Sequence, residues 1–192
     1  MCGRYQFTAE QSAEIQRIVQ EIQARVGREI KTGEIYPTNQ APVLRVDDGA
    51  VRPQLLTWGF PLSGKPIINA RAESAEEKAL FRTSLQLQRC VIPSSGFFEW
   101  DGEKQKYLFR LPAELTLYMA GLYEERAGQK YYCILTTAAN NSMRSVHDRM
   151  PLVLRRDQID AWLQSAEEAR KILHMVPPEL EKTQTGAQLK LW

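Results

Sequence analysis

The chain has 192 residues, 43% of them hydrophobic and 25% charged, with a formal net charge of +2. This is an ordinary soluble globular composition, long enough for one substantial core, so a single domain over residues 1–192 is expected. A charge of +2 is too small to announce nucleic acid by itself, and any anion site must come from local clustering. Cys2, Cys90 and Cys133 are odd in number, far apart and without C-x-x-C spacing, which argues against a disulfide framework and against a zinc site. The start, Met1-Cys2-Gly3-Arg4-Tyr5-Gln6-Phe7, has no apolar centre for a signal peptide. No later run approaches the ~20 apolar residues of a membrane span, so a cytoplasmic protein is expected.

In chain order, Arg4-Tyr5-Gln6-Phe7 reads as a strand. Thr8 and Gln11 have capping-box spacing, and Ile15, Ile18, Val19, Ile22 and Val26 recur at helical period up to a natural stop at Gly27. Residues 28–42 are irregular, with extended backbone forced before Pro37 and Pro42. Residues 43–46 and 51–58 flank Asp47-Asp48-Gly49 and predict a hairpin. A short strand over 67–71 precedes a second capping box, Ser74 and Glu77, expected to open a short helix through Phe81. Strands follow over 90–93, 97–100, 107–111, 117–123 and 131–136, with turn chemistry at Asp101-Gly102 and Ala127-Gly128. Links this short predict antiparallel pairing. A short strand over 151–154, helices over 158–163 and 167–173, and an extended edge segment over 184–192 complete the reading. The expected class is α+β: curled, mostly antiparallel sheets, barrel-like, with peripheral helices.

The chemistry concentrates first at Met1-Cys2-Gly3-Arg4. A small residue at position 2 suits methionine removal, which would leave Cys2 with a thiol and a free α-amine on adjacent carbons. Their ordinary pKa values, about 8.5 and about 8, give both groups usable nucleophilic fractions near neutrality. Such a 1,2-aminothiol condenses with an aldehyde to an imine and closes a five-membered thiazolidine. The plainer account of Cys2 is a small buried residue.

One motif is a decoy. Residues 59–66 carry the glycine and lysine spacing of a phosphate-binding loop, but Pro66 replaces the required Ser or Thr and no helix follows. Better signals are polar residues set in apolar strands. Asn69 and Arg71 share one face of a strand. Glu99, flanked by Phe97, Phe98 and Trp100, is either exposed by alternation or held in a partly apolar pocket suited to proton transfer. His147 lies beside Asp148 and Arg149 at the end of an irregular segment, where catalytic groups gather. His174 is explained as a helix-end cation.

Taken together, Met1-Cys2-Gly3-Arg4, Asn39-Gln40-Ala41-Pro42, Trp58-Gly59-Phe60, Ile68-Asn69-Ala70-Arg71-Ala72-Glu73, Gly96-Phe97-Phe98-Glu99-Trp100 and His147-Asp148-Arg149-Met150-Pro151-Leu152 resemble, in order and separation, the SRAP family of SOS response-associated peptidases or abasic-site processing proteins. The resemblance runs from residue 2 to about residue 155. It implies the SRAP fold, binding of single-stranded DNA, and a covalent thiazolidine between the N-terminal cysteine and the ring-opened sugar of an abasic site, which shields the lesion. Strand cleavage by a lyase step is left open.

Carried onto this chain, the resemblance makes Cys2 the nucleophile and Asn69 the group that orients the adduct. Glu99 moves protons during imine formation, and His147 opens the sugar ring or assists reversal. No metal or cofactor is implied, and a monomer is expected. Arg4, Arg71 and Arg149 become phosphate clamps, Trp58 and Trp100 stacking surfaces, and Asn39 and Pro42 further DNA contacts. After residue 174 the chain lacks the asparagine-containing strand that often closes family members, which leaves open how the last sheet edge is finished. Two other readings remain: a cysteine peptidase using Cys2, His147 and Asn69 with autocatalytic loss of Met1, and a non-covalent single-stranded DNA binding module.

Overall fold

In the computed structural model, which describes residues 2–185, the elements begin with β1 (Tyr5–Phe7), α1 (Ala13–Val26), β2 (Gly33–Ile35), β3 (Gln40–Asp47) and β4 (Ala50–Trp58). Next come β5 (Asn69–Arg71), α2 (Ala79–Leu87), β6 (Arg89–Ser94), β7 (Gly96–Trp100), β8 (Lys106–Arg110), β9 (Leu117–Arg126) and β10 (Gln129–Ala138). The chain ends through β11 (Arg149–Pro151), β12 (Val153–Leu154), α3 (Ile159–Gln164), α4 (Ala166–Leu173) and β13 (Glu181–Thr185). None of the described helices is long and apolar enough to cross a membrane.

Two sheets result. β10 pairs with β4, β4 with β3, β3 with β6, β6 with β9, and β9 again with β10, so five strands close into a barrel. The second sheet runs β13-β8-β7-β1-β2, antiparallel throughout. The α+β, barrel-like expectation holds. The pairing is mostly antiparallel as expected, with two parallel additions, β4 and β5, both against β10. β4 bonds β10 at Tyr131 and Tyr132, the chain makes an excursion over residues 59–68, and β5 rejoins the same strand at Ile134 to Thr136.

β6, β9 and β10 are buried on both faces over most of their length, which is why they read as continuous apolar runs. On β9, Leu117, Met119 and Tyr123 join a core shared with α1 and the five-stranded sheet, while Tyr118, Ala120 and Leu122 pack under α2, α3 and α4. On β10, Tyr132 and Ile134 face the first core, and Cys133 and Leu135 the second.

The helix boundaries shift from those expected. Ser12, not Thr8, caps α1: its Oγ accepts the Ile15 N–H at 3.2 Å and lies 2.7 Å from the Thr116 hydroxyl, pinning the helix to the approach of β9. Gly27, at φ 67°, ends it as expected. The Ser74–Glu77 spacing opens no helix, since Lys78 is extended and α2 begins after it. At the other end of α2, buried Arg89 donates to the carbonyls of Leu85 and Gln86 and to Trp162 and Leu163 of α3, satisfying two helix ends with one guanidinium. β13 covers the β8 edge, which answers how that edge is finished. Most of the expected 184–192 segment lies outside the described residues.

Candidate active site

The residues that precede β1 carry the site. Tyr5 pairs with Phe97 of β7, and the Phe98 N–H donates to the Arg4 carbonyl at 2.9 Å, so residues 2–4 run beside Phe98, Glu99 and Trp100. Alternation on β7 turns Phe97 into the core and Glu99 to the same side, leaving Phe98 and Trp100 on the other. Glu99 is therefore held inside, at 4% exposure, the second of its two expected settings.

Cys2 is 1% exposed and belongs to the core cluster between the sheets. From the opposite sheet, Asn69 Nδ2 donates to the Cys2 carbonyl at 3.0 Å. One hydrogen bond thus joins the N-terminal segment to β5, across the junction of barrel and sheet. Asn69 Oδ1 is buried and makes no hydrogen bond, an acceptor waiting beside the cysteine. Burial pushes the Cys2 thiol well above its ordinary pKa, and the Glu99 carboxylate pushes it further in the same direction. The thiol points back to the Arg4 carbonyl at 3.8 Å. Beneath it, the Tyr5 and Tyr132 hydroxyls lie 2.7 Å apart, and burial raises both well out of the physiological range.

His147 ends the segment between β10 and β11. The segment is closed by the Ala139 N–H on the Asp148 carbonyl at 2.9 Å, and it packs Met143 and Val146 against the cluster that contains Cys2. Its anchor is Asn140, which is 7% exposed, donates to the carbonyls of Pro177 and Pro178 and accepts from Ser142. Sequence reasoning passed over Asn140; the turn chemistry of Asn140-Asn141-Ser142 was the available signal. His147 Nδ1 lies 2.9 Å from the Arg149 N–H and 2.8 Å from Asp148 Oδ1. These contacts are alternatives: Nδ1 accepts from the Arg149 N–H when it carries no proton and donates to Asp148 when it does.

The expected DNA contacts divide sharply. Arg71 is exposed and lines a cleft of about 250 Å³ with Asn69, Thr136, Lys78 and the apolar Ile67, Leu80 and Phe81. Arg4 is packed between Tyr36 and Trp100 and paired with Glu34. Arg149 is committed to protein groups: a two-pronged pair with Glu73 at 2.6 and 3.0 Å, and the Thr136 carbonyl at 2.7 Å. That pair holds the Glu73 carboxyl below the usual range against the opposing effect of burial.

Two expectations fail on burial. Trp58 is fully buried, its indole donating to the Ile68 carbonyl at 3.0 Å with its ring stacked on Tyr132, so it offers no face to a base. Pro42 is buried within β3 opposite Leu55 and offers no surface either. Asn39 instead builds a turn: its Oδ1 accepts the Tyr36 N–H at 3.0 Å and its carbonyl accepts the Trp58 N–H.

With this geometry in place, comparison with known proteins is informative. The sequence matches the family described as SOS response associated peptidase (SRAP) over residues 1–189. Among curated relatives, the abasic site processing protein YoqW of Bacillus subtilis is 34% identical over 185 residues, covering 85% of this chain and 80% of its own. The abasic site processing protein YoaM of the same organism is 37% identical over 153 residues, covering 68% of this chain and 67% of its own. A crystal structure of a Bordetella bronchiseptica protein superposes with a TM-score of 0.75 at 22% identity, covering 96% of this chain and all (100%) of that one, a likeness of fold. The chain belongs to the SRAP family.

Proposed function

We propose that this protein processes abasic sites by forming a covalent thiazolidine between Cys2 and the ring-opened sugar of an abasic nucleotide in single-stranded DNA. Two of the relatives described above bear the name abasic site processing protein, and the site chemistry supports the same role here. Loss of Met1 frees the Cys2 α-amine. The amine attacks the aldehyde carbon, and the resulting carbinolamine expels one water to give an imine. The thiol sulfur then adds to the imine carbon while its proton passes to nitrogen, closing the ring with a net loss of one water. In this reading Glu99 carries protons in these steps, Asn69 fixes the cysteine backbone and accepts from the adduct, and His147 assists opening of the sugar.

The observation that carries this reading is the placement of Cys2, ahead of the first strand, with its carbonyl held by Asn69 Nδ2 at 3.0 Å and the buried Glu99 acting on its sulfur; the direction of the thiol pKa agrees with it. A cysteine peptidase needs a thiolate, held by lowering that pKa. Here burial and the Glu99 charge raise it. A neutral thiol suits the aminothiol route, where the amine attacks first and sulfur closes the ring afterwards.

The test is intact mass spectrometry before and after incubation with single-stranded DNA carrying one abasic site. The expected product is a denaturation-resistant species equal to the Met1-less protein plus the DNA minus one water, absent with undamaged DNA. A Met1-less protein that forms no such species overturns the proposal.

A further inference from the structure

The segment that carries His147 is tied to the rest of the molecule by the last described stretch of chain, and the steps above make no use of that tie. Asn140 Nδ2 donates to the carbonyls of Pro177 and Pro178, each at 3.0 Å. The Leu180 N–H donates to the Ser142 hydroxyl at 3.0 Å, and that hydroxyl donates to Asn140 Oδ1 at 2.6 Å. Lys182 Nζ reaches the Ser145 hydroxyl at 2.8 Å. Leu180 packs into the same cluster as Cys2, Met143 and Val146. Residues 177–182 therefore lie as a strap along the whole segment from Asn140 to His147.

The strap has its own foundation. β13 pairs Glu181 to Thr185 against β8, and Tyr107 of β8 lies between Gln184 and Glu99 on one rung. This ladder fixes the strap to the sheet that holds Glu99, and Asn140 then fixes the His147 segment to the strap. Two backbone turns carry the grip onward. The Asn140 carbonyl accepts from the Met143 and Arg144 N–H groups at 3.3 and 3.0 Å. The Met143 carbonyl accepts from those of Val146 and His147 at 2.8 and 3.1 Å. An irregular segment delivers a side chain accurately only when its backbone is held in this way, and a small misplacement of a reacting group is costly.

We propose that Asn140, by gripping the strap over residues 177–182, is a positioning residue for the opening of the abasic sugar by His147, an assignment that rests on the covalent reading above. Cys2, Asn69 and Glu99 are placed by β1, β5 and β7 and need no such grip. Asn140 thus governs the release of the aldehyde and leaves the condensation that follows unaltered.

The test is single-turnover adduct formation at saturating single-stranded DNA, run on two substrates: the ordinary abasic sugar and an acyclic aldehyde analogue that has no ring to open. Asn140→Asp keeps an acceptor for Ser142 and loses both bonds donated to the strap. It should slow the adduct about tenfold on the ring-closed sugar and leave the acyclic aldehyde at the parental rate. In a His147→Ala background the same change should cost nothing further, because residues acting through one group are not additive. Ser142→Ala, a smaller change that removes the bond from Leu180, should show the same selectivity at about threefold. It decides the matter if Asn140→Asp does not fold. Equal losses on the two substrates, parental rates on the ring-closed sugar, or an undiminished loss in the His147→Ala background each overturn the positioning role while the covalent chemistry stands. A parent protein that forms no adduct with either substrate sinks the covalent proposal, and this role with it.

Discussion

Cys2 and the pair Cys90 and Cys133 live in equally dry surroundings, and burial raises the thiol pKa at all three. The difference lies in what the backbone is free to do. Cys90, near the start of β6, and Cys133, within β10, lie inside strands, paired with Gly121 and Leu122 of β9. Cys2 precedes the first strand, its carbonyl gripped by Asn69 and its sulfur under the charge of Glu99. Under the proposed function, reactivity would be assigned by neighbours and chain position rather than by the thiol itself. Burial, which the sequence offered as the plain explanation of Cys2, is true of it and does not separate it from the others.

The strongest way to break this contrast is to exchange the thiols. Cys2→Ala should abolish the covalent adduct, while Cys90→Ser and Cys133→Ser, once shown to be folded by circular dichroism, should keep it. A denaturation-resistant adduct from Cys2→Ala would erase the distinction. Next in size, Glu99→Gln should slow adduct formation by about 10²-fold in single-turnover kinetics, the usual worth of a positioned proton carrier. The same change removes a negative charge that raises the thiol pKa, so thiolate absorbance of Cys2, read in a Cys90→Ser, Cys133→Ser background, should appear at lower pH than in the parent. An unmoved titration would mean the carboxylate does not act on the sulfur.

Asn69→Ala removes one hydrogen bond that positions the cysteine, and should slow the adduct about tenfold, since about 1.4 kcal/mol of barrier is one decade of rate. Rates within twofold of the parent would place the orienting role elsewhere. The smallest effect concerns Arg149. The Glu73 carboxyl is held below its ordinary pKa, so its pair contributes stability above the unfolded value near 4.3, and that contribution fades as pH falls through the lower folded value. Half-exposed Glu73 is screened by solvent, so Glu73→Gln should cost less than about 1 kcal/mol at pH 7. The gap to the parent in thermal unfolding should narrow on acidification; a gap that widens would refute the pairing.

Much of the fold was written locally. The strands from β6 to β10 follow from unbroken apolar runs joined by short turns, and the β3–β4 hairpin from Asp47-Asp48-Gly49, where Asp48 and Gly49 take φ 49° and 75°. Other features depend on partners far along the chain. Trp58 and Trp100 look alike in sequence, each at the end of a strand. Trp58 is sealed by Tyr132 and Ile68, whereas Trp100 stays partly open beside Arg4. Arg149 was expected as a phosphate clamp, and local sequence could not show its carboxylate partner, Glu73, which lies 76 residues away. The four-residue set of Cys2, Asn69, Glu99 and His147 was legible only as an ordered group of motifs. Local pattern gave no sign that β5 would reach across from the barrel to hold the cysteine.

That reach has a practical side. Residues 59–68 leave and rejoin β10 on nearly adjacent rungs, the Gly59 N–H donating to the Tyr132 carbonyl at 2.7 Å and the Ile134 N–H to the Ile68 carbonyl at 3.0 Å. Phe60 and Ile67 bridge the neck, and Leu62, Ser63, Gly64 and Lys65 protrude into solvent. The stretch that imitates a nucleotide-binding loop is therefore a handle with a clamped base. A fluorophore or peptide tag placed at Ser63 and Gly64 would travel with the barrel while Asn69 keeps its place.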